Sequence, residues 1–344
     1  LTSKLCVIIP AYNASKTVES VVKGALKYVS KVIVADDGSV DDTAISASRA
    51  GADVIKMDKN RGKGNALKVL FQKAIREGYS VVISMDADGQ HDPDDIPLFI
   101  KGHSAYPSDI IVGSRMHEKE KIPRARYNSM HIARFYISLA ANQFIEDTQC
   151  GFRLYPLSLV NKINLTTEKY VTETEILIKV GDMGSRVRFV HVRTIYGGIK
   201  SHFRPIMDVA EITAYVIFYL HIKWLIEGLT SNRPFTYAIG SAVDTISRFK
   251  PVAIICQTIT AVTAVPASMV FFIEYIMLSP FINNFLSIRR LGSGFFKITL
   301  ASHMLPVLLI VTILERLLNK SKLEVNLVDG FINRFYPNIW GKNL

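Results

Sequence analysis

The chain has 344 residues, a net charge of +11 at neutral pH, and a composition that is 49% hydrophobic and 21% charged. It is longer than the roughly 100–200 residues of an average domain, so two unlike parts are expected, and its basic balance calls for an anionic partner: nucleic acid, nucleotide, lipid phosphate or acidic membrane surface. Cys6, Cys150 and Cys256 lie far apart with no CxxC spacing, so neither a zinc site nor a disulfide framework is indicated, and a reducing compartment fits best.

Short apolar, β-branched runs at 5–9, 31–35, 53–57, 80–85 and 109–112 predict strands, several of them followed by helical patterns, and that alternation predicts a parallel-rich α/β sheet. Val18, Val21, Val22, Ala25, Leu26 and Val29 recur at spacings of three and four and predict a helix with one buried face; 63–77 and 127–144 read the same way. The first apolar run meets Pro10 too soon to form a secretory signal, so the head is expected in the cytosol.

Ligand groups in such sheets gather on loops leaving the carboxyl ends of strands, where the polar clusters here fall: Pro10-Ala11-Tyr12-Asn13, Asp36-Asp37-Gly38-Ser39, Asp86-Ala87-Asp88-Gly89-Gln90 and Gly113-Ser114-Arg115. Asp86 and Asp88 sit two apart at a strand end and can reach one hard cation, Mg2+ or Mn2+, with Gln90 and His91 as further ligand-capable groups; a turn made soluble by charge is the bland alternative. Asp36 and Asp37 suit a nucleoside base and ribose, or equally a turn with a cap at Asp41 or Asp42. Arg61-Gly62-Lys63-Gly64-Asn65 opens a helix and offers Lys63 and backbone N–H groups to a phosphate, although neither a Walker pattern nor GxGxxG is completed. Arg115, Arg124, Arg126 and Arg134, with Lys200, His202 and Arg204, supply further phosphate-binding cations or a solvated basic face.

From about residue 206 acidic residues thin out and the apolar runs lengthen. Residues 252–273 are uncharged over 22 positions and 298–314 over 17, which predicts two membrane crossings, and 275–288 is uncharged as well. Ahead of them, 212–225 mixes Tyr215, Phe218, Tyr219 and Trp224 with His221 and Lys223 and suits the headgroup layer. The organisation expected is a catalytic α/β domain at 1–205, interfacial amphipathic helices at 206–250, transmembrane helices within 251–320 and a tail at 321–344.

In order and spacing, VIIPAYN, VADDGS, NRGKGNAL, MDADGQH, VGSR and DTQCGFRLY resemble the family-2 glycosyltransferases of GT-A fold, and among them the polyprenyl-phosphate sugar synthases of the dolichol-phosphate mannose synthase group. The resemblance spans residues 5 to about 205. It implies an inverting enzyme that moves one sugar from a GDP- or UDP-sugar to a polyprenyl phosphate. It further implies Mg2+ or Mn2+ on Asp86, Asp88 and Gln90, and donor contacts from Pro10, Ala11, Tyr12, Asn13, Asp36, Asp37, Lys63, Gly64, Asp86, Ala87 and Asp88. Asp88, Arg115, Lys200 and Arg204 become catalytic candidates, and Arg115, Arg126, Arg134 and His202 acceptor-phosphate candidates. The first loop departs from the family by continuing from Asn13 to Ala14 where Glu is common, which leaves uracil or guanine open; QxxRW is absent, which favours single-sugar transfer. The expected partners are the donor, the lipid phosphate and the membrane, with an integral protein facing the cytoplasm, no nucleic acid, and a homo-oligomer compatible with such a tail. Two alternatives stand beside this reading: a hydroxyl or lipid-linked-sugar acceptor needing a base from Asp147, Glu173 or Glu175, and a non-catalytic nucleotide-binding scaffold.

Overall fold

The computed structural model describes residues 4–117, 140–193 and 195, with positions 130, 133–134, 136–138, 208, 211–216, 218–220 and 222–223. The chain divides into one unit of residues 1–123 and 137–214 and another of 124–136 and 215–344. In the first unit a seven-stranded sheet has the order β3-β2-β1-β4-β6-β5-β7. Its strands are β1 (Leu5–Ala11), β2 (Val32–Asp36), β3 (Asp53–Lys56), β4 (Val81–Ser84), β5 (Ile110–Ser114), β6 (Arg153–Pro156) and β7 (Val187–His191). Six run in one direction, as the alternating pattern predicts, whereas β6 is antiparallel to both β4 and β5.

Buried β-branched runs explain the centre of the sheet. Val7, Ile8, Ile9, Val32, Ile33, Val34, Val82 and Ile83 are fully buried, as strands covered on both faces require. The helices are α1 (Val18–Ala25), α2 (Thr43–Arg49), α3 (Lys63–Arg76), α4 (Ile96–Ala105), the short α5 (Leu157–Val160) and α6 (Val171–Asp182). α1 buries Val18, Val21, Val22 and Ala25, and α3 buries Ala66, Leu67, Leu70, Phe71 and Ala74, each on one stripe. α1 stops at Ala25, four residues before the predicted apolar stripe ends, although Val29 is still buried. Described positions between 130 and 140 are helical, but the run predicted to 144 ends earlier, with Asn142 in the left-handed region at φ 53°.

Because β1, β2, β4 and β5 are parallel, their exits share one edge. The antiparallel β6 begins at that same edge: Arg153 pairs with Ser84 and with Val112, so the segment before it, Asp147 to Gly151, joins the strand-end loops. In the second unit the described positions are helical, Val216 and Leu220 are buried, and the Tyr215 and Tyr219 rings lie 5.9 Å apart. Among the described residues no helix is long and apolar enough to cross a membrane. The expected spans at 251–320, the tail at 321–344 and most of 206–250 lie outside the described residues.

Candidate active site

Four loops meet at the sheet edge and are tied to one another. Asn13, at φ 48°, accepts the Val40 N–H on its side-chain oxygen at 3.0 Å, and its own N–H donates to Ser39 Oγ at 2.9 Å. Ala14 N–H donates to Thr43 Oγ1 at 2.8 Å and Ser15 N–H to Asp41 at 3.1 Å. Thr17 Oγ1 donates to the Ala87 carbonyl at 2.6 Å, which links the first loop to the aspartate loop. Pro10 and Ala11 are buried within β1, and the Ala11 carbonyl accepts the Asp37 N–H at 2.8 Å.

Asp36 and Asp37 are almost wholly buried but do different things. Asp37 accepts the Arg61 N–H at 2.9 Å and the Gly62 N–H at 2.7 Å, one on each oxygen, and so fixes the loop that leads into α3. Burial nevertheless raises its carboxyl above the usual range, against those two hydrogen bonds. Asp36 accepts the Ser39 N–H on Oδ1, while its buried Oδ2 has no hydrogen-bond partner among the described residues. The turn that follows them needs glycine: Gly38 has φ 70°, and a Cβ there would stand 2.6 Å from the backbone nitrogen of Asn60.

Lys63 opens α3, and its ammonium lies 2.6 Å from Asp86 Oδ1 and 3.0 Å from Glu173 Oε2, the latter in the first turn of α6. Although burial opposes ionisation, the Lys63 charge holds Asp86 at about 2; burial likewise opposes the Lys63 charge, yet the two carboxylates keep it raised. Burial and the neighbouring Asp86 charge raise Asp88, whose Oδ1 accepts the Gln90 N–H at 3.0 Å. His91 is not the ligand that the motif allows through Nδ1, because that nitrogen accepts the Asp86 N–H at 3.1 Å; burial pushes the ring down to about 4, so it is neutral at pH 7.

Packing requires a glycine at position 64. A Cβ there would collide with Thr172 Oγ1 and come within 2.6 Å of the Lys169 carbonyl oxygen, so α3 starts hard against the entrance to α6. Arg115 leaves β5 and is buried; its Nε and Nη2 donate to Asp147 at 2.9 and 3.1 Å. Burial opposes the Asp147 charge, but the guanidinium keeps its carboxyl below the usual range, and Arg115 also acts on Asp86 from nearby. Arg134 is buried in the second unit, whereas Arg126, Lys200, His202 and Arg204 lie outside the described residues.

Three residues of this edge have no role assigned from the sequence, although two of them, Gly151 and Arg153, fall within the DTQCGFRLY motif. Arg153, fully buried, donates to the backbone oxygens of Cys150, Glu173 and Thr148 at 2.6–2.9 Å and so ties β6 to α6. At Gly151 a Cβ would lie 2.6 Å from Asp86 Oδ2 and 2.7 Å from Lys63 Nζ. Arg193 donates through Nε and Nη2 to Asp95 Oδ1 at 3.0 and 2.9 Å, and through its backbone N–H to Oδ2 at 2.8 Å, and braces the turn that follows the aspartate loop.

The donor set fits a divalent cation brought in with a diphosphate. Asp86 and Glu173 contact the Lys63 ammonium and Asp88 lies beside Asp86, so three carboxylates gather about one ammonium, with Arg115 nearby but paired to Asp147. Among the described residues no three His, Cys, Asp or Glu side chains form a cage. Mg2+-type sites commonly use one or two carboxylates and complete themselves with water and substrate phosphates.

Residues 6–163 match the sequence profile of Glycosyl transferase family 2. The chain is 30% identical over 199 residues to an uncharacterized protein of Methanocaldococcus jannaschii, spanning 56% of this chain and 82% of that one. It is 28% identical over 212 residues to the UDP-N-acetylglucosamine--dolichyl-phosphate N-acetylglucosaminyltransferase of Methanococcus voltae, spanning 55% and 84%. The crystal structure of glucosyl-3-phosphoglycerate synthase from Mycobacterium tuberculosis in complex with Mn2+, UDP and phosphoglyceric acid superposes with a TM-score of 0.50 at 21% identity, over 64% of this chain and 78% of that one. That likeness concerns the GT-A-like α/β fold. With the family's motifs on the strand-end loops of such a sheet, the chain belongs to glycosyl transferase family 2 and is a glycosyltransferase.

Proposed function

We propose that this enzyme transfers one sugar, with inversion, from a nucleotide-sugar to a polyprenyl phosphate at a membrane surface. The observation that carries the choice of acceptor is the state of the three carboxylates that a hydroxyl acceptor would need as a base. Asp147 is locked to Arg115, Glu173 holds Lys63, and Glu175 is bonded to Thr166, Thr167 and Lys179. A group engaged as a counter-ion is poorly placed to take a proton, whereas a lipid phosphate arrives already ionised and needs no base. The Methanococcus voltae relative, named for a dolichyl-phosphate acceptor and a UDP-sugar donor, supports the same reading.

In this reading the buried, unpartnered Asp36 Oδ2 faces the nucleoside, and Lys63 and Arg115 bind phosphate oxygens. Asp86 and Asp88, with Gln90 beside them, hold Mg2+ or Mn2+. The cation, when bound, neutralises charge developing on the departing nucleoside diphosphate. Arg115, Arg126, Arg134 and His202 are the proposed acceptor-phosphate groups, and Lys200 and Arg204 proposed catalytic groups. The apolar runs at 252–273 and 298–314 are proposed as membrane anchors that keep the domain on the cytoplasmic face.

The test is incubation of the detergent-extracted protein with polyprenyl phosphate and a panel of labelled UDP- and GDP-sugars, in Mn2+ or EDTA. Label is expected to enter the organic phase from one donor, in Mn2+ only, and to vanish in Asp88→Ala. Transfer to a lipid-linked sugar but not to polyprenyl phosphate would replace this acceptor with a hydroxyl.

A further inference from the structure

Lys63 has two anionic partners, and only one of them belongs to the cation reading. Its ammonium rests 2.6 Å from Asp86 Oδ1 and 3.0 Å from Glu173 Oε2. Glu173 is 6% exposed, and its second oxygen, Oε1, is buried with no hydrogen-bond partner among the described residues. A buried carboxylate oxygen left open beside an ammonium that is already bonded elsewhere is costly unless another state of the protein uses it. Its position is braced, since Arg153 Nη1 donates to the Glu173 carbonyl at 2.9 Å. On the remaining side Gly151 packs against the pair so closely that a Cβ there would stand 2.7 Å from Nζ and 2.6 Å from Asp86 Oδ2.

We infer that Glu173 is a positioning residue that receives the Lys63 ammonium when Lys63 gives up Asp86, so that Asp86 becomes free to ligate a divalent cation. This rests on the reading of Asp86 and Asp88 as cation ligands. Two positive charges cannot share Asp86 Oδ1 without strong repulsion in a partly buried site, so Lys63 needs a second counter-ion that the cation does not use. Glu173 provides it, with Oε1 in reserve for the relocated ammonium. With Glu173 neutralised, Asp86 is the one remaining carboxylate in contact with Lys63 among the described residues, and Lys63 competes with the cation directly.

The experiment is titration of the full chain with Mn2+, following the free ion by electron paramagnetic resonance, with and without UDP. The variants are Glu173→Gln, Lys63→Met and the double substitution, each checked for folding by circular dichroism. Glu173→Gln is expected to weaken Mn2+ binding by roughly tenfold, the lower end of the usual effect of losing a group that orients a metal ligand. In the Lys63→Met background the same change is expected to have little effect, because no ammonium is left to place. An equal loss in both backgrounds would mean that Glu173 acts only through its charge, and that result overturns the inference, as does unchanged binding in Glu173→Gln. Should the Gln variant fail to fold, Glu173→Asp keeps the charge and shortens the reach; weaker binding supports the inference and unchanged binding overturns it. Wild-type protein that binds no Mn2+ even with UDP overturns both this inference and the cation reading. Normal Mn2+ binding without any sugar transfer leaves the inference standing and removes only the proposed reaction.

Discussion

Asp147 carries no exposed surface in its side chain and gives both oxygens to Arg115, and its Oδ1 also accepts the Gln149 and Cys150 N–H groups at 3.0 Å. Asp147→Asn keeps the volume but leaves a buried guanidinium without its counter-charge. A destabilisation of about 3–5 kcal/mol is expected, because breaking one side of a buried pair leaves the other unpaired. Urea unfolding measures it, and a change below about 1 kcal/mol would show that the pair is solvated in solution. Gly151 makes a different demand. Gly151→Ala must displace Asp86 or Lys63, since the added carbon would stand 2.6 and 2.7 Å from them. Turnover is expected to drop by about a hundredfold with secondary structure retained, the scale that a 1 Å misplacement near the chemistry can cost. Initial rates together with circular dichroism separate that outcome from unfolding.

At the scale of elements, α6 does two jobs. Its first turn presents Glu173 to Lys63, and one turn boundary later Glu175 faces back to the loop before the helix. Glu175 accepts N–H and O–H groups from Thr166 and Thr167 and pairs with Lys179 at 2.6 Å. Burial opposes its charge, but Lys179 and the threonines lower the carboxyl from its ordinary 4.5 to about 2. A folded-state value below the unfolded one stabilises the protein above the unfolded value, and the benefit disappears as pH falls from about 4.5 to about 2. The shift corresponds to about 3 kcal/mol, so Glu175→Gln should be less stable than wild type by that order at pH 7, with the gap closing in acid. Denaturant unfolding at pH 7, 5, 4 and 3 tests this; a gap that is constant with pH would show that the carboxylate is not depressed. The contact between α3 and α6 explains why a glycine follows Lys63: the helices meet at Gly64 and Thr172, and α6 has no sequence signal that announces this neighbour.

For the molecule as a whole, the sheet shields its own thiols. Cys6 in β1 is pushed up to about 12 by burial, and so is Cys150 ahead of β6. Thiolate is the reactive form, so neither is expected to react with an alkylating reagent at pH 8 on the timescale of minutes while the fold is intact. Both should label together as urea crosses the unfolding midpoint. Peptide mass spectrometry distinguishes them, and labelling of Cys150 alone in native buffer would mean that the segment before β6 opens independently of the sheet.

Read alone, the sequence determines the elements whose signals are local. Apolar runs mark β1 to β5, the three-and-four spacing marks α1 and α3, and polar clusters at strand ends mark the loops that carry Asn13, Asp37, Asp86 and Arg115. A parallel sheet then brings those loops to one edge, which is why much of the candidate site is legible in the sequence. What only the tertiary structure decided depends on contacts between segments far apart in the chain. The antiparallel insertion of β6 between β4 and β5 carries Asp147 and Gly151 to the aspartates, and the approach of α6 to α3 sets Glu173 against Lys63. It also set His91 Nδ1 to accept the Asp86 N–H, and Asp147, Glu173 and Glu175, the candidate bases, beside Arg115, Lys63 and Lys179. A carboxylate reads the same in a sequence whichever of these it is, because its role is set by the charge that folding places beside it.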